Sequence, residues 1–313
     1  MRIAVYFSIA IMAGAIGGVV AHSVSEMDGI LGLRGWQWMF LIEAIPTILI
    51  GFAVWFYLPN DPQDTRFLSG PEKQAAVERL RRDNNSCEAN NSISKSDVVE
   101  ALKEPLHYLY MILYFCVITP MQSISLSMPL IVRGLGYEGV RANLMSAPPF
   151  VIACLFTLLI SYRSDRTASR SWFIILSSVV AMTGFVLMSI VRAASWQYAA
   201  VTLAAIGVFP AIPVTCGWLS SNIQGHTKRA VGTAMVVSFG NLGGIVSGLV
   251  FREADAPFYL PALFANIGIL VIGVGFTLII LRVLKRRNAR TGRGKLKFSD
   301  TESDGQPDFE YML

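Results

Sequence analysis

Long apolar runs separated by short polar connections set the pattern of this chain. Eight runs reach the roughly 20 mostly apolar residues that a helix needs to cross a bilayer. They lie at 3–25, 37–58, 107–131, 142–162, 171–191, 196–222, 229–251 and 258–282. The only long polar stretch inside the chain is 59–106, and a tail follows from 285 to 313. The pattern predicts an all-α fold, a polytopic membrane helical bundle with eight transmembrane helices. Two of these precede the polar stretch and six follow it.

The polar stretch has structure of its own. Ser69-Gly70-Pro71-Glu72 has the spacing of a capping box, predicting a short helix from that point. Asp97–Glu104 carries Val98, Val99 and Leu102 on one side and stops at Pro105, which predicts an amphipathic helix on the membrane surface or under the bundle. DNNSCEANNSISKS (83–96) and the tail, basic first and acidic last, have the composition of disordered segments.

Several apolar runs hold residues that a simple lipid anchor would not. Gly207–Phe251 contains Pro210, Pro213, Trp218, Asn222, Asn241, Gly243 and Gly244. Polar groups at membrane depth tend to face the bundle interior or a water-filled cavity. Thr215, Trp218 and Asn222 share one helical face, and Ser238 and Asn241 stand at i, i+3. In the third run, Tyr110, Tyr114, Gln122 and Ser125 fall roughly along one face, and Pro120 and Pro129 can kink the helix. Tyr114, Gln122, Trp218, Asn222 and Asn241 are therefore the candidates for a substrate cavity. Interhelical hydrogen bonding and serine back-bonding explain the same residues without a substrate.

Glu43 lies about 10 Å inside the second run, counted from Trp36 at about 1.5 Å per residue. A bare carboxylate at that depth costs several kilocalories per mole, so it should be protonated or paired. It is a structural partner for another helix, a proton-coupling carboxyl, or a residue simply exposed at the interface. Between the fourth and fifth runs, Asp165 is followed by Arg166 and Arg170. These charges can form a lock that breaks and re-forms as helices rock, or serve only as topology signals.

Composition agrees with a membrane protein. The chain has 313 residues, of which 53% are hydrophobic and 15% charged; soluble domains carry about 25% charged residues. A net charge of +5 raises nucleic acid as a partner, but the distribution of the charge argues against it. Of the 26 basic residues, only Arg34, Arg133, Arg141, Arg192 and Arg252 fall on one side of the predicted spans. The bias puts both termini in the cytoplasm. Asn84-Asn85-Ser86 and Asn90-Asn91-Ser92 are glycosylation acceptor patterns, and on the cytoplasmic side they should stay unmodified. Cys87, Cys116, Cys154 and Cys216 are scattered, and His22, His107 and His226 lie near the ends of different runs. No spacing of a metal site, redox pair, phosphate-binding loop or Ser-His-Asp arrangement is present, so no cofactor and no enzymatic activity is expected.

The chain resembles the anion:cation symporter branch of the major facilitator superfamily, in particular fungal permeases of the allantoate and nicotinate type. The resemblance rests on AGAIGGVVA (13–21), RGWQWMFLIEAIPTILIG (34–51), LPNDPQDTRFLSGPEKQAAVERL (58–80), SDRTASR (164–170), GWLSSNIQGHTKRAVGTAM (217–235), GNLGGIVSG (240–248) and DAPFY (255–259). It implies two pseudo-symmetric six-helix halves with the site near the midplane between them. The eight runs then correspond to helices five to twelve, with the first four of the family missing. Residues 1–58 become the end of the first half, 59–106 the cytoplasmic loop between halves, 107–284 the second half, and 285–313 a cytoplasmic tail. Asp165, Arg166 and Arg170 match the superfamily's cytoplasmic gate loop. Ser161 stands there at a usual glycine, and Ala168 and Ser169 replace the usual Gly and Arg.

The resemblance implies proton-coupled symport of a small organic anion, a carboxylate vitamin or ureide such as nicotinate or allantoate, by alternating access. The partners are that anion, a proton and the lipid bilayer, and the plasma membrane is the expected location. The alternative is a truncated, non-transporting fragment that pairs with or interferes with a full-length transporter.

Overall fold

The computed structural model describes residues 2–25, 27–59, 65, 68–83, 95–136, 139–167, 169–223, 226–250, 255, 259–298 and 312. Among these residues the structure is all helical, with ten α-helices and one short 3-10 turn. They are α1 (Arg2–Ser25), α2 (Gly35–Tyr57), α3 (Gly70–Asp83), α4 (Lys95–Lys103), α5 (Pro105–Gly134), α6 (Gly139–Thr167), α7 (Arg170–Ile190), α8 (Ala194–Asn222), α9 (His226–Val250) and α10 (Leu260–Phe298). Seven of them are long and apolar enough to cross a membrane: α2 and α5 to α10. The eighth expected span, α1, is one continuous helix whose described apolar stretch is the shorter Ile3–Gly17.

The chain divides into two compact units, residues 20–92 and residues 1–19 with 93–313. One boundary falls within α1, between residues 19 and 20, and the other within the loop 59–106, between 92 and 93. In the smaller unit, the connection into α2 is closed by its own polar groups. Asp28 Oδ1 accepts the Gly35 N–H at 2.6 Å, Gln37 Oε1 accepts the Arg34 N–H at 2.8 Å, and the Trp38 indole donates to the Ile30 carbonyl at 3.2 Å. Every residue of α2 is exposed or half-buried. Half of the expected capping box forms: the N–H of Ser69 donates to Glu72 Oε2 at 2.9 Å, while the Ser69 hydroxyl donates to the same oxygen at 2.7 Å. The hydroxyl first, then the N–H, holds the Glu72 carboxyl below the usual carboxylate range.

The larger unit is built on close helix approaches. α7 packs on α8 along small residues: a Cβ at Gly184 would meet the backbone of Ala204, and one at Gly207 the backbone of Ala181. Removing side-chain bulk lets backbones approach, which is how helices associate where lipid offers no hydrophobic drive. α9 does the same against α5. Gly240 accommodates the Tyr114 ring, Gly243 the Thr119 hydroxyl and Gly232 the His107 imidazole. Two buried clusters result, one around Met128, Phe150, Phe185 and Phe209, the other around Tyr110, Leu113, Ile174 and Trp218.

Helix interiors tolerate several prolines. Proline lacks the N–H that would bond the carbonyl four residues earlier, so each must leave an acceptor to be satisfied elsewhere. Pro149 leaves the Met145 carbonyl, and the Tyr198 hydroxyl of α8 donates to it at 2.9 Å. Pro120 and Pro129 leave α5 unbroken from Pro105 to Gly134.

α4 packs under the bundle, with Ala101 fully buried. Lys228 bonds Glu100 and Arg287 bonds Glu104, both at 2.7 Å. Val99 and Leu102, expected to form its apolar side, are largely exposed. The tail differs from the sequence expectation. α10 runs helical to Phe298, because Lys, Arg and Leu propagate a helix already nucleated by the span. Residues 84–94 and 299–311, where disorder was expected, lie outside the described residues.

Candidate functional site

Two cavities lie within the larger unit. The first, about 360 Å³, is walled by Phe7, Ile11 and Gly14 of α1, Gln122 and Ser125 of α5, and Phe150 of α6, with Phe209 of α8 closing it. Its wall is mainly apolar, and Phe150 and Phe209 meet edge to face at 5.7 Å between ring centres. Gln122 brings the one amide, and Ser125 and Ser146 bring hydroxyls. Pro129 also lines the cavity, and Pro129 cannot donate to the Ser125 carbonyl. The polar content is thus small and placed on α5 and α6, an arrangement that holds a compact, largely apolar ligand by few polar contacts.

The second cavity, about 460 Å³, lies at the end of the bundle that carries the α6–α7 turn. Ser161, Ser164 and Asp165 of α6, Arg170 of α7, and Gly217, Ser220 and Ser221 of α8 line it. Arg170 Nη2 stands 3.2 Å from Asp165 Oδ1, so the lock links two consecutive helices across their turn. The guanidinium also lies on the backbone of α8, where any Cβ at Gly217 would collide with it. Arg166 takes no part in that pair; it covers the Tyr162 ring at 4.9 Å. Ser161 and Ser164 are buried, and their hydroxyls have no hydrogen-bond partner among the described residues.

Beside this cavity sits a buried polar cluster. Asn222 Nδ2 donates to the Tyr110 hydroxyl at 3.1 Å, and the Tyr110 and Trp218 rings meet edge to face at 5.4 Å. Thr215, on the same face of α8, donates its hydroxyl back to the Ala211 carbonyl.

The expected site residues therefore separate. Gln122 lines the first cavity. Trp218 and Asn222 are buried together beside the second. Tyr114 is buried against Gly240 of α9, with Cys216 beside its hydroxyl, and lines neither cavity. Asn241 and Ser238 share the exposed face of α9. Glu43 is exposed on α2, where its backbone carbonyl accepts the Thr47 hydroxyl at 2.8 Å. Sequence reasoning missed Ser146, Phe150 and Phe209 as cavity walls. The signal for Ser146 was the Pro148-Pro149 pair that follows it; the phenylalanines carried none, because an apolar wall and an apolar core look alike along a chain.

Seven membrane-length helices among the described residues define an integral multi-pass membrane protein. The Major Facilitator Superfamily profile matches residues 1–248, and the chain belongs to that family. It is 34% identical over 264 residues to the MFS transporter prlL of a fungal species (strain NRRL 50135), covering 82% of this chain and 52% of that protein. It is 31% identical over 313 residues to the MFS-type transporter cnsO of Penicillium expansum, covering 96% and 60%. The high-affinity nicotinic acid transporter of Saccharomyces cerevisiae is 25% identical over 323 residues, covering 100% and 60%. The chain thus spans between about half and two thirds of the length of these relatives.

Proposed function

We propose that the chain forms the substrate-holding part of a proton-coupled carrier for a small organic anion, a carboxylate vitamin or ureide. The observation that carries this is the 360 Å³ cavity with Gln122, Ser125 and Ser146 in an otherwise apolar wall. Its volume lies in the range of small-molecule sites. Among its described lining residues there is no lysine or arginine. A bare carboxylate is costly in such surroundings, so a proton taken up with the anion lowers the cost of entry. That is the physical case for symport. A relative named for nicotinic acid, a ring carrying one carboxyl, supports the substrate class.

In this reading Gln122 holds the ligand, and Glu43 carries the coupling proton. The Asp165–Arg170 pair closes one end and opens as the helices rock. Asn241 and Ser238, polar on the exposed face of α9, belong to a wetted wall of the translocation path, since lipid would penalise them. Trp218 and Asn222 stiffen the α5–α8 contact at the closed end.

The test is uptake of a labelled carboxylate panel by cells making this chain, with and without a proton gradient. Saturable uptake that collapses with the gradient, and falls on Glu43→Gln at equal protein abundance, is the expected result. Uptake indifferent to the gradient would remove proton coupling, and normal uptake by E43Q would remove Glu43 from that role. A second reading has one observation of its own. Every residue of α2 is exposed or half-buried, which suits a helix that packs against a further chain. In that reading the protein pairs with a full-length carrier, and co-expression changes the carrier's uptake while the chain alone shows none.

A further inference from the structure

The second cavity holds polar groups that the Asp165–Arg170 lock does not use. Ser161, Ser164 and Asp165 stand at i, i+3 and i+4 on α6 and so share one face. Ser161 is 5% exposed and Ser164 1%, and neither hydroxyl has a hydrogen-bond partner among the described residues. Arg170 also has donors to spare. Its Nη2 holds Asp165 at 3.2 Å and its Nε lies 3.0 Å from the Met312 sulfur. Nη1 takes no partner among the described residues and occupies the space where a Cβ at Gly217 would stand. Glycine at 217 is thus what lets the guanidinium lie against α8. The other two serines of the wall are committed. Ser220 Oγ donates to the Cys216 carbonyl at 2.9 Å, and Ser221 Oγ to the Gly217 carbonyl at 2.8 Å. The unused groups are therefore donors, one of them cationic, and their complement is an oxyanion bound by charge-assisted hydrogen bonds. Ile3, Ala4, Pro213 and Val214 give the same cavity an apolar wall. An inorganic ion gains nothing from that wall, whereas the hydrocarbon of an organic acid gains by leaving water.

We propose that this cavity is a binding site for a small organic carboxylate, anchored on Arg170 and completed by the hydroxyls of Ser161 and Ser164. The carboxylate takes Nη1 and competes with Asp165 for Nη2. Each serine turns its hydroxyl to the ligand by rotation about one bond. The exchange is like for like. The Arg170 side chain is 15% exposed and costly to leave unpaired, whereas that of Asp165, at 30%, reaches water when it lets go. A bound carboxylate therefore loosens the α6–α7 lock without stranding its cation. The site shares no lining residue with the 360 Å³ cavity, so it stands whether or not that cavity carries substrate.

The test uses the full chain in a maltoside detergent, with Ser220→Cys as a reporter in the cavity wall and benzoate as the probe. Maleimide labelling of S220C, above the native-cysteine background, should be slowed about threefold or more by saturating benzoate. Benzamide, which keeps the ring and lacks the charge, should leave the rate unchanged. Equal protection by the two would overturn the proposal, because an apolar pocket would then suffice. Ser161→Ala and Ser164→Ala remove hydroxyls that have no partner among the described residues, so neither should disturb folding. Each should raise the benzoate concentration for half-protection about fivefold or more, and unchanged values would take the serines, and with them the site, away. Asp165→Asn removes the competing charge and should lower that concentration about threefold or more, a gain that a folding defect does not produce. A higher or unchanged concentration would show that the carboxylate does not meet Arg170. In phosphatidylglycerol nanodiscs, S220C should label at the detergent rate until benzoate is added. Labelling already slowed by the lipid would make a headgroup phosphate the occupant and overturn the proposal. Protection by inorganic phosphate as strong as that by benzoate would overturn it too, by removing the need for an organic ligand.

Discussion

At the scale of single residues, the membrane interior turns hydrogen bonds into placement rules. Proline at 149 withdraws a donor from the Met145 carbonyl, and the hydroxyl of Tyr198 supplies one from the next helix. Neither residue explains itself in the sequence, since they are 49 positions apart by number and share no motif. Loss of one such bond leaves an acceptor unsatisfied in a place that water reaches poorly, at about 1–3 kcal/mol. Tyr198→Phe keeps the ring and removes only the donor. It should lower the thermal unfolding midpoint of the detergent-solubilised chain by the equivalent of about 1 kcal/mol or more, with helix content unchanged by circular dichroism. An unchanged midpoint would mean that Met145 finds another donor. The same rule separates candidates that looked alike along the chain. Asn222 is buried with partners on α5 and in the tail, whereas Asn241 is exposed on α9. Both are asparagines in apolar runs, and only the fold shows which one the bundle encloses.

At the scale of helices, small residues decide which pairs approach. The glycines and alanines of α7 and α8 were visible in the sequence, but their pairing was not. The register that sets Gly184 on Ala204 and Gly207 on Ala181 arises from two helices meeting antiparallel, and no spacing within one run encodes it. Gly184→Ala places a methyl against the Ala204 backbone and must push α7 and α8 apart. Overpacking of this kind costs about 1–3 kcal/mol. Gly248→Ala, in α9, meets nothing within 4 Å and should be neutral or slightly stabilising, as alanine is the better helix former. Chemical denaturation of both variants in the same detergent checks the contrast. Equal stabilities would show that the α7–α8 contact relaxes without cost. Helix starts and breaks were more legible than pairings. Glu72 reached back to the Ser69 N–H as its spacing required, since capping is local chemistry, whereas the side of α4 that would be buried depended on Lys228 and Arg287 arriving from distant helices.

At the scale of the whole molecule, the number of crossings fixes the topology. The apolar pattern yields eight runs, and the structure has seven helices that meet the length and apolarity of a span, with α1 shorter in its described apolar stretch. The difference is one of parity. With α1 crossing, the count is even and both termini face the same side; without it, the count is odd and they face opposite sides. The distribution of Lys and Arg favours the even count, because only Arg34, Arg133, Arg141, Arg192 and Arg252 then fall on the outer side and the bias follows the positive-inside rule. α1 also contributes Phe7, Ile11 and Gly14 to the first cavity, and Cys154 of α6 donates to the Ser8 carbonyl at 3.6 Å, contacts suited to a helix within the bundle. Epitope tags at the two ends, probed in intact and permeabilised cells, should therefore become accessible together and only after permeabilisation. Asn84 and Asn90 should carry no sugar, seen as no mobility change on endoglycosidase treatment. An N-terminal tag accessible from outside, with the C-terminal tag still enclosed, would leave α1 uncrossed and the count at seven. Sugar at either asparagine would invert the whole arrangement, placing the basic segments where the membrane potential and the positive-inside rule disfavour them.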